Sequence, residues 1–150
     1  MFRKLFVLTV AASALGACET LSGAVMAPPI SKTGAQQVET APVSYMAFFD
    51  LGSTTLSEQA KTTISQAAQV YKTRANAKIA VTGYAATVGA PALNMQLSQR
   101  RANVVKDGLV AAGVPAAAIT TTASGETNLL VDTGPQQKEP RNRRVAIVIN

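Results

Sequence analysis

The residues that could do chemistry in this chain are carboxylates, basic groups and hydroxyls. Its 150 residues contain no histidine and one cysteine, Cys18, beside eight acidic and fourteen basic side chains. Without histidine the chain lacks the usual general base, metal ligand and switch at physiological pH. A single cysteine excludes both an internal disulfide and a multi-cysteine metal site. Because no nucleophile–base pair is visible either, the sequence predicts a protein that is not an enzyme and that needs no cofactor or metal.

The charge balance narrows the classes of partner. The formal net charge is +6, a mild basic excess that is compatible with anionic polymers or lipid headgroups. There is no tryptophan, and the few tyrosines and phenylalanines fall mostly in strand-like runs. A nucleic-acid binder typically carries a strongly basic surface interleaved with aromatic residues. We therefore expect no nucleic-acid partner.

The first eighteen residues have the layout of a secretory signal. Arg3 and Lys4 precede an apolar run from Leu5 to Leu15, which is too short to span a bilayer. The ending, Leu-Gly-Ala-Cys18, resembles the lipobox of bacterial lipoproteins. This resemblance implies cleavage before Cys18 and its acylation with fatty acids such as palmitate, and Glu19 in the next position favours the outer membrane. The alternative is an ordinary signal peptide with an incidental cysteine.

The remaining chain divides into a tether and one domain. Residues 18–42 mix Pro28, Pro29, glycine, serine, threonine and glutamine without sustained periodicity, which is typical of a linker. Residues 43–150 carry the periodic patterns of a folded domain. We therefore predict a signal peptide over 1–17, a lipidated N-terminus and flexible tether over 18–42, and a single domain over 43–150.

Hydrophobic periodicity predicts four strands and two helices in the domain. The first helix has Ser57 as a plausible N-cap, and the second ends at Gly113. The predicted strands cover 43–50, 78–83, 118–125 and 143–150, and the helices cover about 57–74 and 92–112. The first helix should bury Ala60, Ile64, Ala67, Ala68 and Tyr71. The second should bury Leu93, Leu97, Val104, Gly108, Leu109 and Ala112. With both helices on one face of a mixed sheet, the β-α-β-α-β-β order predicts a two-layer α+β sandwich.

One connection has an unusual composition for its position. Binding residues often lie on loops that leave a rigid scaffold. Yet the segment from Tyr84 to Pro91, between the second strand and the second helix, contains no charged residue and no amide. The connection over 126–142, in contrast, is long and polar, and loops of that length are usually functional or partly mobile.

Several segments resemble the OmpA-like peptidoglycan-binding domains. FFDLGSTTLSEQA resembles their opening segment, NMQLSQRRANVVKDGLVAAGVPAAAI their second helix, and SGETNLLV and RNRRVAIVI their closing elements. The match covers 43–150 in the right order and spacing. Together with the lipobox, it resembles the peptidoglycan-associated lipoprotein arrangement, in which a lipid anchor and a tether carry a cell-wall-binding domain.

The resemblance implies a ligand and a set of binding residues. The family binds diaminopimelate of the peptidoglycan stem peptide, which presents carboxylates and an ammonium group. The second arginine of the RRA segment, here Arg101, would hold a carboxylate through its planar fork. Asn94, Asp50 and Arg143 are the further candidates. For each a plainer role stays open: a solvated helix residue for Arg101, a helix cap for Asn94, a turn for Asp50 and surface charge for Arg143.

The resemblance also bears on the uncharged loop between the second strand and the second helix. GYAATVG stands where the family has GHTDxxG, so Tyr84, Ala85 and Ala86 replace the histidine, the threonine and the aspartate. Losing one partner of a desolvated charged contact weakens the free energy of ligand binding by about 2 to 5 kcal/mol. Tyr84 either stacks over the emptied loop or fills the pocket.

The expected function is non-covalent attachment of the outer membrane to peptidoglycan by a lipid-anchored, periplasm-facing protein. The alternative is a degenerate OmpA-like domain that binds no ligand and acts as a structural or protein-interaction module, with other envelope proteins as partners.

Overall fold

The computed structural model describes residues 41–150. The predicted signal segment, Cys18 and all but the last two residues of the predicted tether lie outside this range. The described elements follow the predicted order. They are β1 (Val43–Phe48), α1 (Glu58–Lys72), β2 (Ile79–Gly83), α2 (Pro91–Ala111), β3 (Ile119–Ala123) and β4 (Arg144–Ile149), with short 3-10 turns at Ala116–Ala118 and Pro140–Asn142.

The four strands form one mixed sheet in the order β1-β4-β2-β3. β4 is antiparallel to both β1 and β2, whereas β2 and β3 are parallel. A parallel pair needs a crossover connection, and α2 provides it. The predicted two-layer α+β architecture is confirmed.

The core lies between this sheet and the two helices. In β4, Val145, Ile147 and Ile149 are fully buried and pack in one cluster with residues such as Ile64 and Leu109. Alternate side chains of a strand point to opposite faces, so the intervening positions face away from the helices. In β1, Met46 and Phe48 lie on this opposite face and remain more than 40% exposed. Both helices therefore cover the same face of the sheet.

The first helix follows its prediction closely. Its N-cap is Ser57, whose Oγ accepts a hydrogen bond from the backbone N–H of Ala60 at 3.1 Å. The four predicted apolar positions Ala60, Ile64, Ala67 and Ala68 are buried. Tyr71, the fifth, packs against the core while partly exposed.

The predicted buried face of α2 is wrong over the first half of the helix, and over the second half Leu109 is buried whereas Val104, Gly108 and Ala112 are only partly buried. Leu93 is 60% exposed, and Leu97 is only partly buried. The buried positions of α2 are Asn94, Ser98, Arg101, Ala102, Val105 and Leu109. The physical reason is what α2 packs against: its second half meets the apolar sheet, whereas its first half meets backbone polar groups at the strand ends.

Neither helix in residues 41–150 combines the length and the apolar character that crossing a membrane requires.

The contact between β2 and α2 leaves no room for a side chain at Gly83. A Cβ atom there would lie 2.0 Å from the backbone oxygen of Ser98. We predict that Gly83→Ala lowers the free energy of unfolding by roughly 3 kcal/mol, because backbone has to move. Gly134→Ala is the matched control, since a Cβ there meets nothing within 4 Å. Urea denaturation of the full-length protein compares the two; equal stabilities would contradict the close packing.

Candidate functional site

A cavity of about 150 Å³ lies beside the first half of α2, where β1 and β2 end. Nine residues surround it: two follow β1, three belong to the loop after β2, three to α2, and one precedes β4. They are Leu51, Gly52, Ala85, Ala86, Val88, Asn94, Leu97, Arg101 and Arg143. Leu51 and Gly52 are exposed to solvent, so the cavity is reached from their side. Three of the four predicted binding residues, Asn94, Arg101 and Arg143, therefore meet at one cavity.

Arg101 is the most constrained of these side chains. Its relative exposure is 0%, and its guanidinium donates three hydrogen bonds to backbone oxygens. Nε donates to Ser53 at 2.9 Å, Nη2 to Asp50 at 2.9 Å and Nη1 to Tyr84 at 3.2 Å. The prediction that leaves Arg101 as a solvated helix residue is therefore wrong. A guanidinium has five N–H bonds, so two of them, one on each terminal nitrogen, remain after these contacts.

The Arg101 charge is stabilised without an acidic partner. Within residues 41–150 the ion pairs are Lys61–Glu58 and Arg141–Glu139, and neither involves Arg101. The guanidinium carbon lies 5.2 Å from the centre of the Phe49 ring, a favourable cation–π distance. Burial, and secondarily repulsion from Arg143, lowers the pKa of Arg101 to about 10. The side chain is therefore still a cation at neutral pH, inside a site that disfavours its charge.

Arg143 is the second cation of the cavity and is only half-buried. Its Nε donates to the Phe49 oxygen at 3.0 Å and its Nη1 to the Lys138 oxygen at 2.6 Å. These contacts hold the guanidinium beside the cavity instead of leaving it free in solvent. Two arginines thus face one cavity, close enough for the charge of one to disfavour the charge of the other.

Asn94 lies within α2 and does not cap it. The N-cap position is Ala90, which makes no side-chain capping bond, so the capping role predicted as an alternative for Asn94 is wrong. Its side chain is 5% exposed, and Nδ2 donates to Oε2 of Glu126 at 3.0 Å. Glu126 was not predicted as part of the site. It orients the amide of a residue that lines the cavity, although its own carboxylate does not line it.

Asp50 contributes through its backbone instead of its carboxylate. Its side chain is exposed and does not line the cavity. Its carbonyl oxygen accepts from Arg101 and also from the backbone N–H of Ser53 at 3.1 Å, which closes the turn after β1. This geometry agrees with the turn role predicted for Asp50.

Tyr84 stays outside the cavity. Its ring packs against the guanidinium of Arg144, whose central carbon is 3.9 Å from the ring centre. Tyr84 does not line the cavity, so the interpretation in which it fills the pocket is wrong. Ala85 and Ala86 line it instead and present only methyl groups. The positions that replace the family's threonine and aspartate thus form an apolar wall.

The uncharged loop also supports the long loop that precedes β4. The Thr87 backbone oxygen accepts from the Gln136 N–H at 2.8 Å, and its Oγ1 donates to the Gly134 oxygen at 2.8 Å. The Gly89 N–H donates to Oε1 of Gln136 at 3.1 Å. The Gln137 N–H also donates to Thr87 Oγ1 at 3.2 Å, so these contacts join the two loops at one end of the sheet.

Ser98 is a further structural residue that the sequence prediction missed. Its Oγ donates to the Met95 oxygen at 2.7 Å and accepts from the Gly125 N–H at 3.0 Å, and the side chain is fully buried. Asn94, Ser98 and Arg101 are spaced by four and three residues, so they share one face of a helix. That polar stripe was the available signal for the site.

The domain is similar to a known protein family. The OmpA family matches residues 48–143, well over half of the chain. The chain therefore belongs to the OmpA family.

Relatives with assigned names agree with this placement. The chain is 38% identical over 113 residues to an outer membrane protein of Gluconacetobacter diazotrophicus, covering 71% of this chain and 30% of that protein. It is 34% identical over 102 residues to "Probable lipoprotein YiaD" of Escherichia coli K12, covering 68% and 47%. It is 33% identical over 87 residues to the peptidoglycan-binding protein ArfA of Mycobacterium tuberculosis H37Rv, covering 58% and 27%. The chain thus matches less than half the length of each of these relatives.

Solved structures share the fold. The peptidoglycan-associated lipoprotein of Burkholderia pseudomallei superposes with a TM-score of 0.65 at 24% identity, covering 71% of this chain and 90% of that one. The OmpA-like domain of FopA1 from Francisella tularensis gives a TM-score of 0.65 at 26% identity, covering 71% of each chain.

The Arg101 contacts predict a structural cost for its removal. We predict that Arg101→Met lowers the free energy of unfolding by about 3 kcal/mol, because three loop carbonyls lose their donors. Arg100→Met is the matched control: Arg100 is the exposed neighbour on the same helix, and its change should cost less than about 0.5 kcal/mol. Chemical denaturation of both full-length variants measures the difference. Two equally stable variants would show that Arg101 does not tie the loops together.

Proposed function

We propose that this protein binds peptidoglycan non-covalently by holding a stem-peptide carboxylate in the cavity between Arg101 and Arg143. The observation that carries the proposal is the charge of the cavity. Two guanidinium groups line it, and none of its lining residues in the described part of the chain is acidic. It is therefore built to attract an anion.

A carboxylate suits this site better than a spherical anion does. Guanidinium groups meet carboxylates through two parallel hydrogen bonds. The two N–H bonds of Arg101 that the loop carbonyls do not use are donors of that kind, and Arg143 adds a second cation at the same cavity. An anion between the two arginines would also offset their mutual repulsion, so binding would relieve a cost that the unbound site carries.

The site lacks the partner that a free diaminopimelate end would use for its ammonium group. Ala86 provides a methyl group where the family carries an aspartate, so we expect weak affinity for each contact. Weak binding is still useful to a tethered domain, because a tether raises the local concentration of the domain at the wall. Attachment would then depend on many such contacts along the envelope.

The names of the relatives support an envelope location. An outer membrane protein, a lipoprotein and a peptidoglycan-binding protein are among them. We propose that the chain is exported, is acylated at Cys18 and faces the periplasm from the outer membrane, with residues 18–42 as the tether. The mechanism involves no chemical reaction, only an ion pair presented by an anchored domain.

One observation favours a second candidate function. Arg101 is completely buried and already bound to three carbonyls, which is what a purely structural arginine would look like. In that case the domain would be a structural or protein-interaction module that has lost its ligand. Arg143 separates the two candidates, because it lines the cavity yet is more accessible than Arg101.

The first test is sedimentation of the full-length protein with purified sacculi that contain diaminopimelate. We predict that Arg143→Met weakens binding by about 2 kcal/mol, roughly 30-fold, since a ligand carboxylate loses one cation. Arg141→Met removes the same charge two residues away, from an exposed side chain paired with Glu139, and should leave binding unchanged. Equal loss in both variants would indicate non-specific attraction of a basic protein to an anionic wall.

The second test concerns the anchor. We predict that Cys18→Ser abolishes incorporation of labelled palmitate and releases the protein from the membrane fraction into the soluble periplasmic fraction. Each methylene of an acyl chain buried in the membrane contributes about 0.8 kcal/mol to binding, so loss of the acyl chains should release the protein. Retention of the variant in the membrane fraction with an uncleaved signal would be explained by a cleavage defect; a parent protein without any lipid label would contradict the anchor outright.

A further inference from the structure

The charges that line the cavity select between two kinds of carboxylate. The end of a free amino acid carries an ammonium group next to its carboxylate, whereas the carboxyl end of a peptide carries an acylated, uncharged nitrogen in the same place. A cation held near Arg101 and Arg143 would be repelled by both guanidinium groups. No acidic residue among those lining the cavity, within the described chain, would offset that repulsion.

The apolar walls of the cavity also disfavour an ammonium group. Ala85 and Ala86 are 1% and 5% exposed and present methyl groups, and Leu97 and Val88 add further apolar surface. Burying an ammonium group against such a wall without a hydrogen-bond acceptor is costly, whereas carbon atoms gain from the same contact. The one neutral polar side chain in the lining is Asn94, whose Nδ2 donates to Glu126, so a single uncharged amide oxygen is the only side-chain acceptor among the lining residues.

The volume restricts how much of a ligand can enter. A cavity of about 150 Å³ is comparable to an engineered protein cavity that holds one benzene molecule, so it accommodates about six heavy atoms. A carboxylate, its α-carbon, a small substituent and the adjoining nitrogen are about this number. The rest of a peptide would leave past Leu51 and Gly52, which are exposed at the mouth.

We propose that the cavity between Arg101 and Arg143 recognises a carboxylate whose neighbouring nitrogen is acylated, such as a peptide carboxyl end, in preference to the zwitterionic end of a free amino acid. This inference rests on the proposed function, because it names the ligand class of the same cavity. It assigns a specificity to Ala86: the methyl group at this position removes the selectivity for an ammonium group that an acidic side chain there would confer.

Three small probes test the inference on the full-length protein. N-acetylglycine carries a carboxylate and an acylated nitrogen, glycine carries a carboxylate and an ammonium group, and glycinamide carries the ammonium group alone. Titration calorimetry should show N-acetylglycine binding at least about tenfold more tightly than glycine, and no binding of glycinamide. Glycine binding as tightly as N-acetylglycine would overturn the inference, as would the absence of saturable binding by all three probes.

Two substitutions at one position sharpen the test. Ala86→Asp should move the preference towards glycine by at least about tenfold. Its carboxylate would pair with the ammonium group of glycine, whereas it would repel the N-acetylglycine anion, which has no positive charge. Ala86→Asn has nearly the same size without the charge and should leave the preference for N-acetylglycine in place. A matching shift in both variants would attribute selectivity to size and contradict the role of charge. If Ala86→Asp does not fold, the probe comparison on the parent protein still decides.

Failure of this inference and failure of the proposed function give different experimental results. Glycine preferred over N-acetylglycine, together with Arg143-dependent sedimentation on sacculi, would overturn this inference while the proposed function stands. A clear preference for N-acetylglycine in a protein that does not sediment with sacculi would support the ligand class and contradict the proposed function.

Discussion

The arrangement of the whole site depends on one buried cation. Arg101 extends from the middle of α2 and donates to the carbonyl oxygens of Asp50 and Ser53, which follow β1, and of Tyr84, which follows β2. Burying a charge is costly unless hydrogen bonds replace the water that it loses. The loops must therefore keep their carbonyls on the guanidinium, and this requirement fixes two strand ends relative to the helix. The cavity exists where these three pieces of chain meet.

The same burial determines how the site can bind an anion. Arg101 supplies positive charge from a fixed position in the cavity lining. Arg143 is anchored by the carbonyls of Phe49 and Lys138 and brings a second cation to the cavity. Preorganised donors of this kind lose little conformational freedom when a ligand arrives. A structural role for Arg101 and the proposed binding role of the cavity are therefore compatible, because the three loop carbonyls use only three of its five N–H bonds.

The sequence predicted most of the fold and part of the site. Strand alternation and the apolar face of α1 were enough for the element order, since those elements pack apolar side chains on the sheet. The same reasoning failed for the first half of α2, where it buried Leu93 and overlooked Ser98. Periodicity assumes that the buried face is the apolar one, and here the buried face serves polar loops. The family resemblance identified Arg101, Asn94 and Arg143, which do meet at one cavity.

What the sequence could not predict is how backbone groups participate. Asp50 was predicted as a binding residue or a turn residue, and the structure uses its carbonyl oxygen, a group that any residue type carries. Tyr84 was placed over or inside the pocket, but its partner is Arg144, which lies sixty residues further along the chain in β4. Such pairings follow from sheet register, since the Tyr84 N–H donates to the Arg144 oxygen at 2.9 Å. Local patterns contain no information about that register.

We propose that the paired guanidinium groups of this cavity hold a carboxylate. Nitrogen-15 NMR of the arginine Nε–H groups, recorded while acetate is added to the full-length protein, observes those groups directly. We expect saturable shifts of the Arg101 and Arg143 signals, with the exposed Arg100 and Arg141 signals changing only slightly and linearly. Uniform, unsaturated shifts of all four signals would contradict it, because they would show that the cavity attracts the anion no more strongly than the protein surface does.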